Sequence, residues 1–101
     1  MKESVRTWLL QQFGDEDVAR EIYDEYRRST APKFQEAAAA LAAGDCPSLD
    51  RIAHALKGNA LMIADQEALD AALALRDAAK AGDASAAETA LARARAVFGA
   101  D

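Results

Sequence analysis

Apolar residues recur at every third or fourth position along most of the chain, and short turns that contain Gly or Asp interrupt this pattern. Such spacing places the apolar side chains on one face of a helix. Intrinsic propensity agrees, because 27 of the 101 residues are alanine whereas valine, isoleucine and threonine number three each. The sequence therefore predicts an all-α fold.

The turn signals divide the chain into one short helix and four longer ones. Residues 2–13 form the short helix, which Gly14 ends. The next helix runs from Asp17 to about Leu41, and we expect Pro32 to kink it without dividing it. The remaining three helices are predicted at 47–64, 65–81 and 85–98.

Side chains that can cap helices mark several of these boundaries. Asp15 or Asp17 can accept hydrogen bonds at the start of the long helix, and Asp65 can do so for the fourth helix. Ser85 and Glu88 have the spacing of a capping box for the last helix.

These elements predict a single domain over residues 1–101, an up-and-down antiparallel four-helix bundle with a short extra N-terminal helix. Only 25 hydrophobic residues are larger than alanine, which suffices for one modest core. We expect the aromatic side chains, Phe13 among them, in that core or at the bundle ends. A monomer is the expected state.

Charge and composition exclude several classes of function. The net charge is −5 and there is no basic patch, which disfavours a nucleic-acid partner. No apolar stretch approaches the roughly 20 residues that cross a bilayer, and no secretory signal is visible. Cys46 is the only cysteine, so no internal disulfide can form, and a cytoplasmic location is expected. One cysteine and one histidine cannot build a zinc-type metal site.

The helix at 49–64 carries the only histidine of the chain. At about 100° per residue, one apolar stripe falls within roughly 60° of a single direction, and His54 lies about 140° away. Lys57, Gly58 and Leu61 share the outward side with His54. The predicted core stripe consists of Leu49, Ile52, Ala53, Leu56, Ala60 and Ile63.

Gly58 conflicts with the helical pattern, since a mid-helix glycine costs about 1 kcal/mol relative to alanine. Its missing side chain would let another molecule approach His54 closely. Leu61 is placed to contact that molecule, and Lys57 to balance an anion on the histidine. The alternative is a glycine that packs where two helices cross, which its direction on the helix disfavours.

The segment His54-Ala55-Leu56-Lys57-Gly58 resembles the His-x-Leu-Lys-Gly signature of histidine phosphotransfer (HPt) domains, the modules of bacterial phosphorelays. The resemblance extends over nearly the whole chain, because further residues follow the usual order and spacing of that family. These residues are Leu10, Phe13-Gly14-Asp15, Ile22, Tyr26, Pro32, Leu41, Gly44-Asp45, Leu49, Ala53 and Gly82-Asp83.

The resemblance implies a phosphoryl carrier rather than an autonomous enzyme. His54 would take a phosphoryl group from an aspartyl phosphate and pass it to another aspartate, while Lys57 screens the charge. The partners would be response-regulator receiver domains or a hybrid sensor histidine kinase. No cofactor or metal is expected on this chain, because in this family Mg²⁺ belongs to the receiver.

The chain departs from the family pattern at three positions. Asn59 stands where a small residue is usual, and we expect it to offer hydrogen bonds to the partner. Ala64 replaces a common glycine, so we expect a changed turn. Arg76 stands where a polar residue, often Gln, reaches the active histidine. We expect Arg76 to extend towards His54 and to stabilise the phosphorylated form.

Less specific interpretations remain open for these residues. His54 alone could be an ordinary surface histidine, and Lys57 alone a solvated lysine. Asp50, one turn before His54, is expected to be solvated near the helix start. For the whole chain, the alternative function is a helical module that binds a receiver or kinase without phosphotransfer.

Overall fold

The computed structural model describes residues 1–100, which form five α-helices joined by short turns. The all-α prediction is confirmed. The helices are α1 Glu3–Phe13, α2 Glu16–Ala42, α3 Cys46–Met62, α4 Gln66–Ala81 and α5 Ala84–Val97.

The four longer helices, α2 to α5, form the bundle. Each packs against the next along the chain, and α5 closes the arrangement by packing against α2. Helix α1 packs against α2, outside the ring of four. The short connections force consecutive helices to run antiparallel, as predicted for an up-and-down bundle with an extra N-terminal helix.

Helix α2 runs without interruption through Pro32, as predicted. Proline removes one backbone donor from a helix, but Pro32 lies on the exposed surface, where water can satisfy the freed carbonyl. The continuous helix brings Ser29 and Thr30 opposite the C-terminal half of α3, which carries the predicted site.

The three turns between the bundle helices share one design. In each, a residue with positive φ ends one helix and the following aspartate caps the next. The backbone N–H of that aspartate donates to a carbonyl five residues earlier, which satisfies an orphan carbonyl of the ending helix. The paired residues are Gly44 and Asp45, Ala64 and Asp65, and Gly82 and Asp83.

Ala64 adopts the left-handed conformation that glycine has in the other two turns, with φ of 53°. Its N–H donates to the carbonyl of Leu61, and the N–H of Asp65 donates to the carbonyl of Ala60 at 3.0 Å. The expected change of turn is therefore wrong. The geometry is kept, and alanine adopts a conformation that is unfavourable for an L-residue.

Two predicted caps are confirmed and one is wrong. Asp15 accepts hydrogen bonds from the backbone N–H groups of Asp17 and Val18, and Asp65 accepts one from Ala68. The capping box at Ser85 does not form. Asp83 caps α5 instead. It follows the left-handed Gly82 directly and immediately precedes the first helical residue, Ala84, so that Ser85 already lies inside the helix.

The core is built mainly from alanine and leucine, with aromatic side chains at one end. Tyr26 stacks with Tyr23 and with Phe98 at ring distances of 5.6 and 6.2 Å. Burial raises the pKa of Tyr26, and the charge of Asp65 adds to that effect. Phe13 was predicted to pack, but it is 50% exposed at the end of α1.

Candidate functional site

Helix α3 has one buried and one open face, as its periodicity predicts. Leu49, Ala53 and Leu56 are fully inaccessible or nearly so, and Ala60 and Ile63 continue the same stripe. The only predicted stripe member that is merely half-buried is Ile52. The core stripe fixes the rotation of the helix and hence the direction in which its polar side chains point.

His54 lies on the open face, at the midpoint of α3, and the residue is exposed. Among residues 1–100, none donates to or accepts from the imidazole ring. The exposed imidazole is therefore free of hydrogen bonds with residues 1–100 and accessible to an incoming molecule.

Gly58 lies one turn after His54 and is exposed. Apart from its chain neighbours and the adjacent backbone of α3, a side-chain Cβ added there would meet no atom within 4 Å among the described residues. Its φ is not positive, so an alanine could adopt the same backbone conformation. The alternative of a glycine that packs at a helix crossing is therefore wrong. Neither packing nor backbone geometry within the chain explains a glycine at this position.

Lys57 is half-buried and stands three residues after His54, on the same side of α3 as Asp50. Within residues 1–100, its ammonium group forms no ion pair. The cation is thus available for an anion at this surface.

Arg76 reaches from α4 to α3, as predicted, but its observed partner is Asp50 and not His54. The Arg76 Nε donates to Oδ1 of Asp50 at 3.2 Å. Asp50 lies one turn before His54, so the guanidinium contacts the turn of α3 that precedes the histidine. The expectation of a merely solvated Asp50 is wrong, because its carboxylate is paired across the two helices.

Leu61 is 53% exposed on the open face, in agreement with its predicted direction. Met62, which follows it, is 68% exposed and was not singled out from the sequence. The helical wheel predicts this exposure, because Met62 lies about 140° from the core stripe, in the rotational direction opposite to that of Leu61. The two side chains extend an apolar surface beyond Gly58.

Asn59 lies on the flank of α3 that faces α2. Its amide donates to Oγ1 of Thr30 at 3.2 Å and, at the limiting distance of 3.5 Å, to Oγ of Ser29. Asn59 and Met62 border a groove of about 300 Å³ between the two helices. The amide is thus engaged within the bundle, and contact between Asn59 and a partner stays a prediction.

Neither a metal site nor a membrane span emerges from the described part of the chain. Residues 1–100 contain no group of three or more His, Cys, Asp or Glu side chains arranged to hold a metal ion. None of the five helices has both the length and the apolar character that crossing a bilayer requires.

Comparison with known protein families gives a match that covers most of the chain. The family model of the Hpt domain matches residues 21–99. This range includes the whole of α3, α4 and α5 and nearly all of α2. Searches of curated proteins and of solved structures give no match.

Proposed function

The chain belongs to the Hpt domain family, and from that premise we propose that it carries phosphoryl groups between receiver domains on His54. Membership in this family implies a histidine phosphotransfer module of phosphorelays. The observation that supports His54 most strongly is its pairing with Gly58. An exposed imidazole stands beside a glycine that the chain itself does not need.

The proposed reaction uses the imidazole as a nucleophile. The unprotonated nitrogen of the neutral imidazole attacks the phosphorus of a receiver aspartyl phosphate. The N–P bond forms, and the aspartate oxygen leaves with the electron pair of the broken O–P bond. The other ring nitrogen releases its proton to solvent. In the second step a carboxylate oxygen of another receiver attacks the phosphorus, the N–P bond breaks with its electron pair left on the ring nitrogen, and the ring takes a proton back from solvent to become neutral imidazole.

Lys57 and Arg76 are proposed to stabilise the phosphoryl group by charge. Phosphoryl transfer depends mostly on positioning and electrostatic stabilisation, with little covalent chemistry for the protein to perform. Lys57 has no carboxylate partner among residues 1–100. The Nη groups of Arg76 are likewise not engaged in a hydrogen bond there, because only its Nε binds Asp50.

The surface around Gly58 is proposed to receive the partner. An open glycine next to His54 lets a receiver domain approach the imidazole, and the exposed Leu61 supplies apolar contact. Asn59 is proposed to contribute at the edge of this surface. The active-site Mg²⁺ would come with the receiver, and we expect a cytoplasmic monomer without a cofactor of its own.

The test is phosphoryl transfer from a receiver domain. The purified protein is incubated with a phosphorylated receiver, and the label it acquires is analysed for acid lability and base stability. We expect base-stable label on the wild type and none on the His54→Gln variant. Binding to several receivers without any label would contradict the proposal and favour a module that binds without phosphotransfer.

A further inference from the structure

The ion pair between Asp50 and Arg76 lies on the flank of α3 next to His54. Asp50 precedes His54 by four residues, which places the two side chains on neighbouring positions of one helix face. Side chains on a helix lean towards its N-terminus, so the imidazole leans towards the turn that carries Asp50. A phosphoryl group on His54 would therefore stand close to this carboxylate.

A carboxylate one helical turn from His54 would repel a phosphoryl group on the imidazole. The repulsion between like charges is stronger where solvent is partly excluded. Asp50 is only 30% exposed, and its side chain is thus partly withdrawn from water. Arg76 brings a compensating positive charge to the same turn. The pair as a whole adds no net charge next to His54.

The geometry of the pair leaves donors available. Arg76 binds a single carboxylate oxygen through Nε, and its Nη groups make no hydrogen bond with residues 1–100. A guanidinium can bind a carboxylate on one edge and a phosphoryl oxygen on the other. Arg76 can therefore keep its contact with Asp50 while it binds a phosphoryl group.

The contribution of this pair to folding is small. Ion pairs with partly exposed members contribute little to stability. Both members are partly exposed, at 27% for Arg76 and 30% for Asp50. A carboxylate close to His54 disfavours the phosphorylated state of a phosphoryl carrier. Since folding gains little from the pair, the presence of Asp50 requires another role that offsets this repulsion.

We infer that Asp50 is a positioning residue, which holds Arg76 beside His54 so that the guanidinium both neutralises Asp50 and binds the phosphoryl group. This inference rests on the proposed phosphorylation of His54. It makes the effect of Asp50 depend on the residue at position 76. With arginine present Asp50 helps the phosphorylated form, and without it Asp50 harms that form.

The test is a double-mutant cycle on the lifetime of the phosphohistidine. Wild type, Asp50→Asn, Arg76→Met and the double variant are labelled by a phosphorylated receiver, separated from it and left to hydrolyse. In that reaction water attacks phosphorus, the N–P bond breaks, the ring nitrogen keeps the electron pair and gains one proton of the water, and orthophosphate leaves with the other. The readouts are base-stable label over time and the ³¹P signal of the phosphohistidine.

We expect Arg76→Met, which keeps the length of the side chain but removes its charge and its donors, to shorten the lifetime by about two- to fivefold, the range of a partly exposed charge pair. Asp50→Asn shortens the lifetime in the Arg76 protein but lengthens it in the Arg76→Met background. Asp50→Glu, which keeps the charge, lies closer to wild type than Asp50→Asn. The matched control is Arg6→Gln with Glu16→Gln, which removes another inter-helix ion pair at 3.0 Å on α1 and α2 and leaves the lifetime unchanged.

Equal factors for Asp50→Asn in both backgrounds would overturn the inference, even if His54 is phosphorylated. A wild type that never acquires base-stable label would overturn the proposed function as well. Thermal unfolding of each variant separates these results from loss of fold, since a merely structural role would lower the melting temperature without reversing the sign of the Asp50→Asn effect.

Discussion

Lys2 donates from Nζ to both carboxylate oxygens of Asp65, at 3.0 and 2.9 Å, and so ties the start of α1 to the turn between α3 and α4. Asp65 is only 4% exposed and also caps α4 through the N–H of Ala68. A charge this deeply buried is costly unless it is paired. Lys2 therefore stabilises the bundle although it lies near the end of the chain.

Lys2→Met is expected to lower the free energy of unfolding by about 1–3 kcal/mol, because it leaves the Asp65 carboxylate without its cation. Urea denaturation followed by circular dichroism measures this change. Arg6→Gln is the matched control, since its ion pair with Glu16 also anchors α1, in this case to α2, but both of its side chains are exposed. Its expected cost is under about 1 kcal/mol. Equal losses in both variants would contradict the role of burial.

Ala64→Gly is expected to stabilise the protein by about 0.5–1 kcal/mol. The left-handed conformation costs alanine about 1 kcal/mol or more, and glycine adopts it without a Cβ penalty. Ala43→Gly serves as the control, because Ala43 ends α2 with φ of −82° and gains nothing from glycine. Thermal unfolding of both variants should show opposite signs. A loss of stability in Ala64→Gly would show that the turn is not strained.

Local periodicity was sufficient to predict which side chains of α3 are buried and which are open. The reason is that burial follows the 3.6-residue repeat, so Leu56 and His54 must point in different directions once the helix packs. The same argument placed Gly58 and Leu61 on the open face. These parts of the candidate site depend only on one helix and its core.

Contacts between distant residues could not be predicted in the same way. Asp50 and Arg76 are 26 residues apart, and Lys2 and Asp65 are 63 apart, so both pairs depend on how the helices pack. The sequence predicted that Arg76 would reach α3 but not which carboxylate it would bind. The register of α3 against α4 determines which carboxylate lies opposite Arg76, and no local sequence pattern specifies that register.

The left-handed conformation of Ala64 is predictable from its position directly before a capping aspartate. Gly44 and Gly82 each precede a capping aspartate, and Ala64 precedes Asp65 in the same way. That repeated position indicates a left-handed residue even where glycine is absent. The same repeat would have assigned the cap of α5 to Asp83, which follows Gly82 directly.

Acid should weaken the cap of α3. The hydroxyl of Ser48 donates to the Asp45 carboxylate, and this bond, followed by the backbone N–H of Ser48, lowers the pKa of Asp45 below its ordinary value of 3.8. A carboxyl group whose pKa is lower in the folded state stabilises the fold above its unfolded pKa. That contribution is lost as the pH falls through the folded pKa.

Asp45→Asn removes this titration but keeps a side chain that can cap a helix. We expect wild type to be more stable than Asp45→Asn at pH 6, and the difference to shrink once the pH falls below about 4. Unfolding by urea at a series of pH values measures it. A difference that stays constant down to pH 2 would contradict the assigned cause.

Gly58 should show opposite effects on stability and on phosphoryl transfer. Gly58→Ala adds a methyl group that meets nothing within 4 Å among residues 1–100, and alanine has the higher helix propensity. The free energy of unfolding should rise by about 0.5–1 kcal/mol. Under the proposed function the same methyl group would obstruct the approach of a receiver to His54, so the rate of phosphoryl acceptance should fall.

Gly58→Leu enlarges the obstruction and should slow acceptance by about tenfold or more, because a small displacement of reacting groups has large effects on rate. Ala92→Leu is the matched control, since Ala92 is exposed on α5, away from His54. Single-turnover transfer from a phosphorylated receiver measures all three variants against wild type. If Gly58→Leu accepts phosphoryl groups as fast as Ala92→Leu, then the open surface beside His54 is not where the receiver docks.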